Sequence, residues 1–165
     1  MFQAKPPRMA IPASTRARLA TQLDVLDAFL DGLNARFAEI PPGDGGWSAK
    51  ENVAHLARHA HIFLERLERI LREERPDLGT YRPEEDPEWP AWRRLPLDEA
   101  RRRLRAARAK LLAWVDGISA EQSARVGVHP IFGPWGIDQW LKFFLLHEAH
   151  HLYFMVRRLA QAQRG

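Results

Sequence analysis

The apolar positions divide this chain into four long helical segments and predict almost no strand. In the first segment Leu19, Leu23, Leu26, Leu30, Leu33 and Phe37 recur every three or four residues, which lays one apolar stripe along a helix. This predicts a helix over about residues 15–40, stopped by Pro41, Pro42 and Gly43. The second opens at Ser48, with Glu51 three residues on, a pairing in which each side chain serves the other residue's backbone N–H. Val53, Leu56, Phe63, Leu67 and Leu71 carry it to about residue 74, and Pro76 ends it. Leu104, Ala107, Leu111 and Val115 mark a third helix over about 97–115, and the fourth covers about 138–161.

The connections are less regular. Residues 76–96 hold five prolines together with Tyr81, Trp89 and Trp92. A loop this long is uncommon in a compact domain, and its aromatics suit packing over the bundle, either as a functional cover or as a plain crossover. Ser119 and Gln122 bracket one capped turn, and 127–136, with two prolines and three glycines, reads as a structured loop. The expectation is an all-α four-helix bundle with a long loop between helices two and three. It forms a single domain over 15–165, behind a flexible N-terminal segment, 1–14.

Composition narrows the chemistry. With 45% hydrophobic and 28% charged residues among 165, the chain can bury a core and is not a disordered polymer. Its apolar runs, such as 143–146 between Lys142 and His147, are far too short to span a bilayer. The first residues lack the apolar core of an export signal, so the expected compartment is the cytoplasm. No cysteine is present, which removes disulfides, thiolate metal sites and a cysteine nucleophile. Arg101, Arg102, Arg103, Arg105 and Arg108 crowd one segment, but a net charge of +4 does not by itself imply a nucleic-acid partner. A solvated helix face is the simpler reading.

The seven histidines carry the sharpest signal. His147 and His151 are four residues apart, about 40° on a helical wheel, and share a face with Trp140, Phe143, Phe144 and Phe154. His150 falls toward the edge of that face. Imidazoles in an aromatic stripe are costly unless their nitrogens find partners, and a metal satisfies two at once. The run 147–151 also fits the H-E-x-x-H pattern of zinc peptidases, with Glu148 as the base. That reading fails on the rest of the chain. Residues 152–165 offer no His, Asp or Glu as a further ligand, and the longer form of the motif meets Phe154 and Arg157 where it needs Gly and His. A third ligand must come from elsewhere. Helix two offers His55 and His59, and the wheel slightly favours His59. Glu148, about 100° from His147, is expected at the flank of the bundle.

The segment Trp47-Ser-Ala-Lys-Glu-Asn-Val-Ala-His55-Leu56 resembles the W-S-x-x-E-x-x-x-H-L stretch of the DinB/YfiT-like superfamily. So do His129-Pro-Ile-Phe-Gly-Pro134, Trp140-Leu-Lys-Phe143 and the run 147–151, in that order. The resemblance implies a four-helix bundle with a divalent transition metal, zinc or nickel foremost, on three histidines. Matched residue by residue, these are His55, His147 and His151. It also implies a homodimer, and a small-molecule substrate that could include a low-molecular-weight thiol. Where relatives often carry Gln after the paired histidines, this chain has 152–155 without one.

Function is less determined. The leading expectation is a metal-dependent hydrolase or thiol transferase. Glu51, one turn before His55, is a candidate proton acceptor or partner for an imidazole, although its capping role with Ser48 is the favoured reading. Trp47, Trp140 and the aromatics of 76–96 are candidate pocket walls. The rivals are a non-catalytic bundle in which metal or ligand joins helix two to helix four, and, more weakly, a DNA-associated factor. The roles of His59, His61, His129 and His150 stay open.

Overall fold

The computed structural model describes residues 10–164, apart from the Leu33 side chain, so most of the expected N-terminal segment and the place of Leu33 in the first stripe lie outside the described residues. The folded body begins a little before residue 15, with Ile11 in the core and a first helix, α1, over Ala13–Thr21.

The first segment is not one helix. After α1 come a 3-10 turn at Gln22–Asp24, a short helix α2 over Val25–Leu30, and a second 3-10 stretch at Gly32–Phe37. The Thr21 hydroxyl donates to the Ala17 carbonyl at 3.0 Å, a back-bond that competes with the helical ladder at the first joint. At the second joint Asp31 is extended (ψ 153°) and Gly32 sits at φ +58°, which a side chain would disfavour. Arg101 grips the Asp27 and Asp31 carboxylates, both at 3.1 Å, and so holds the break in place. The apolar stripe survives the breaks, because Leu19, Leu26 and Leu30 are fully buried.

The other three long helices form where the periodicity places them: α3 over Ala49–Arg72, α5 over Leu97–Gly117 and α7 over Ile137–Ala162. Ser48 and Glu51 make the reciprocal cap of α3 at 3.1 and 2.8 Å. Val53, Leu56, Ala60, Phe63, Leu67 and Ile70 turn inward, and Ile70 rather than Leu71 takes the place in the last turn. The α3 helix packs against both α5 and α7, so with α1–α2 these make a four-helix bundle. No helix of the described residues is long and apolar enough to cross a membrane.

Two connections carry more structure than the sequence suggests. The 76–96 segment contains a 3-10 turn at Pro83–Glu85 and a short helix α4 at Trp89–Arg93. It is pinned to α3 by Arg58, which holds Asp86 through two bonds of 2.7 and 3.1 Å, while the Tyr81 hydroxyl donates to the same carboxylate at 3.0 Å. After the capped turn, α6 at Ala120–Ser123, the expected loop is a hairpin of β1 (Val126–His129) and β2 (Gly133–Gly136). His129 explains the turn. Its Nδ1 accepts from the Ile131 and Phe132 amides at 3.1 and 3.3 Å. Gly127 lets this hairpin lie on α3, since a Cβ there would meet the Ile70 side chain at 2.8 Å.

The arginine-rich segment is not a free basic stripe. Arg101 and Arg105 bind Asp27, and Arg102 and Arg103 bind Glu99. Arg108 turns into the core, where it pairs with Glu148 and donates to the Leu19 carbonyl. Glu148 is therefore fully buried in the bundle rather than at its flank, and Gln22 Nε2 donates to its other oxygen at 2.8 Å. Removing one member of a buried ion pair strands the other charge, so Glu148→Ala should lose about 3–5 kcal/mol of folding stability. Denaturant titration checks this, and an unchanged midpoint would show that the pair contributes nothing.

Candidate metal centre

Two helices bring the site together. His55 lies in the second turn of α3, and His147 and His151 lie one turn apart in the middle of α7. One ligating nitrogen from each of the three falls within 4.8 Å of the others, and among the described residues no carboxylate belongs to this group. His55 Nε2 and His147 Nε2 are 3.3 Å apart. Metal–nitrogen bonds of about 2.0–2.1 Å at a tetrahedral angle set neighbouring nitrogens about 3.3–3.4 Å apart, so the spacing suits a transition metal. Among the described residues the cluster is under-satisfied, because the buried Nδ1 atoms of His55 and His147 find no partner there.

Burial controls the protonation of these rings. Desolvation, reinforced by the neighbouring imidazoles, lowers the pKa of His55 to about 2, of His151 to about 3 and of His147 to about 4. All three are thus neutral around pH 7, the form that binds metal.

The walls are aromatic. Trp47 packs on His55 and His151 with ring centroids 4.8 and 5.8 Å away, and Trp89 of α4 closes over Trp47 at 5.1 Å. Tyr81 stacks on His55 at 5.7 Å, so the 76–96 segment covers the site as well as crossing the bundle. A cleft of about 200 Å³ opens beside His151, lined by Trp47, Asn52, His150, Phe154 and Arg158. Trp140 is not a wall of it. It is buried beneath the hairpin, with its indole N–H directed to the Gly127 carbonyl at 3.4 Å.

A family model for the DinB superfamily matches residues 18–155. The chain belongs to that superfamily. A comparison with curated proteins found no match. Among solved structures, this DinB-superfamily chain is similar to YfiT from Bacillus subtilis, described as a probable metal-dependent hydrolase with an unusual four-helix bundle topology. The identity is 19%, the match covers 99% of this chain and 95% of that one, and the TM-score is 0.74.

The remaining histidines sort themselves by contact. His59, favoured by the wheel, is buried against the group, with its ring 4.1 Å from that of His147 and stacked on Phe144, but it is not one of the three converging donors. His61 Nδ1 contacts the Ala57 carbonyl at 2.8 Å and packs on Trp92. His150 is exposed at the cleft. Glu51 has both carboxylate oxygens taken, one by the Ser48 amide and one by Arg93 at 2.6 Å, so it ties α3 to α4. The polar partner of an imidazole is instead its neighbour Asn52, whose Oδ1 is 2.9 Å from His151 Nδ1. Sequence reasoning passed over Asn52, yet a polar residue three before His55 on the inner face of a helix is a signal of this kind.

Two outcomes follow from this geometry. Alanine at His55, His147 or His151 should abolish stoichiometric metal binding, measured by elemental analysis after dialysis, while His61→Ala should retain it. Retention in His55→Ala with loss in His59→Ala would reassign the donor on α3. Acid should also destabilise the metal-free protein. The folded pKa values lie below the unfolded value near 6.5, so the unfolded chain binds more protons between them. Stability present above pH 6.5 is then lost progressively as the pH falls toward the folded values. Urea midpoints measured from pH 7.5 to 5 should fall, and His55→Leu should flatten the slope; a flat wild-type profile would contradict the assigned burial.

Proposed function

We propose that this protein is a metal-dependent enzyme acting on a small molecule, of hydrolase or thiol-transferase type. The observation that carries the reading is the convergence of three neutral imidazoles, His55 buried and His147 and His151 half-buried, beside an open cleft. A donor set without a carboxylate leaves the positive charge of a divalent ion undiminished, and such an ion, when bound, supplies Lewis acidity that polarises a carbonyl and acidifies a water or a thiol. The description of YfiT as a probable metal-dependent hydrolase supports the same class.

The chain's own residues supply the rest. His55, His147 and His151 hold the ion between α3 and α7. Trp47 and Phe154 offer flat apolar surfaces to a substrate in the cleft, and Trp89 and Tyr81 exclude water from the α4 side of His55. His150, exposed at the cleft with its ring 5.2 Å from that of His151, presents a further imidazole to a molecule bound there. A sulfur nucleophile has to arrive with the substrate, because the chain has no cysteine.

A second reading, in which the ion only joins α3 to α7, draws on the position of the donors across that helix contact. A DNA-associated role has no such support, since the arginine segment is paired with Asp27, Asp31, Glu99 and Glu148. Activated esters and amides, and electrophiles paired with small thiols, should be assayed on metal-loaded protein, metal-free protein and His151→Ala. Turnover in the first sample alone is expected, without thiol for a hydrolase and dependent on thiol for a transferase. No turnover, or equal turnover in all three, returns the site to the joining role.

A further inference from the structure

We propose that Asn52 is a positioning residue that holds His151 as the Nδ1–H tautomer and leaves Nε2 as the lone pair this ring offers to the metal. The inference rests on the three-histidine metal reading above, but its geometry stands on the protein alone.

The orientation of one amide decides the tautomer. Asn52 is 4% exposed, so water cannot serve its polar atoms freely. Its Nδ2 lies 2.9 Å from the Ser48 carbonyl oxygen. A carbonyl only accepts, so the NH₂ must face Ser48, and the flipped amide would set two oxygens against each other. The amide oxygen is therefore the atom 2.9 Å from His151 Nδ1. That oxygen is also acceptor only, so the ring nitrogen facing it carries the hydrogen. A neutral imidazole has one N–H, and Nε2 is then the unprotonated nitrogen.

The other two ligands have no comparable device. Among the described residues His55 Nδ1 and His147 Nδ1 are buried without a partner, and their Nε2 atoms face each other at 3.3 Å, so no outside acceptor fixes either ring as the Nδ1–H tautomer. Orientation in the site thus starts from His151. It is anchored through Asn52 to the first turn of α3, the turn that Ser48 and Glu51 cap. The capping box and the metal centre share one structural element: the Ser48 side chain fixes the start of the helix, and the Ser48 carbonyl fixes the amide that fixes the ligand. Partners of this kind set both the direction and the basicity of a ligating imidazole, and their loss typically weakens metal binding about 10–100-fold.

Two readouts test this without any turnover assay. In metal-free protein, ¹⁵N NMR of the imidazoles, with His151 assigned by its disappearance in His151→Gln, should show the Nδ1–H tautomer in wild type and a mixture in Asn52→Ala. Zinc affinity, measured by competition with a chromogenic chelator, should fall about 10–100-fold in Asn52→Ala. An Nε2–H tautomer in wild type, or an unchanged affinity and spectrum in Asn52→Ala, overturns the assignment. If Asn52→Ala does not fold, the wild-type tautomer decides alone. A wild-type chain that holds no zinc would defeat the metal reading, while the tautomer would still decide the role of Asn52.

Discussion

The rest of the site depends on taking three imidazoles out of water at the contact between α3 and α7. Desolvation keeps His55, His147 and His151 neutral and therefore able to bind a metal, and it makes their unpartnered nitrogens costly. The surroundings are built to maintain that dryness. Trp47 enters from the turn before α3, and Tyr81 and Trp89 come over from the long connection. The Arg58–Asp86 pair, with 14% and 5% of its side chains exposed, holds that connection down. A surface ion pair of similar geometry would contribute little, but one this sheltered from solvent is a firm clamp for the cover.

The same short run of α7 serves two different neighbours. His147 and His151 point toward α3, whereas Glu148, one residue on and so about 100° round the helix, points into the bundle toward Arg108 and Gln22. A pattern that in a zinc peptidase would place a carboxylate beside the metal here places it in a buried ion pair with Arg108. The Arg108 guanidinium also lies over the Phe144 ring, 5.5 Å from its centroid, which links this polar contact to the aromatic floor beneath His59. The pairing of Arg101, Arg102, Arg103 and Arg105 with nearby carboxylates likewise turns an arginine-rich stretch into fold-holding contacts instead of a basic surface.

Much of this was legible in the order of residues, because helical periodicity and capping are local. The stripes of α3, α5 and α7, the Ser48–Glu51 and Ser119–Gln122 caps, and the pairing of His147 with His151 each need only a few consecutive residues and a 3.6-residue turn. What required tertiary structure was every choice between positions that the wheel leaves equivalent. Between His55 and His59 the wheel slightly favours His59 and only the family resemblance points to His55, because the physical choice depends on how the two helices cross; that Asn52 and not Glu51 contacts an imidazole depends in turn on where α4 brings Arg93. The break in the first helix, with Asp31 held by Arg101 from 70 residues away in sequence, was hidden for the same reason. Likewise the hairpin over 126–136 lies at Gly127 against Ile70 and Leu78, contacts from distant segments that its own short run does not announce. Local sequence determined the three long helices α3, α5 and α7 and which side chains share a face. Contacts between segments distant in sequence decided which of those side chains meet, because a helical wheel has no information about the helix it will pack against.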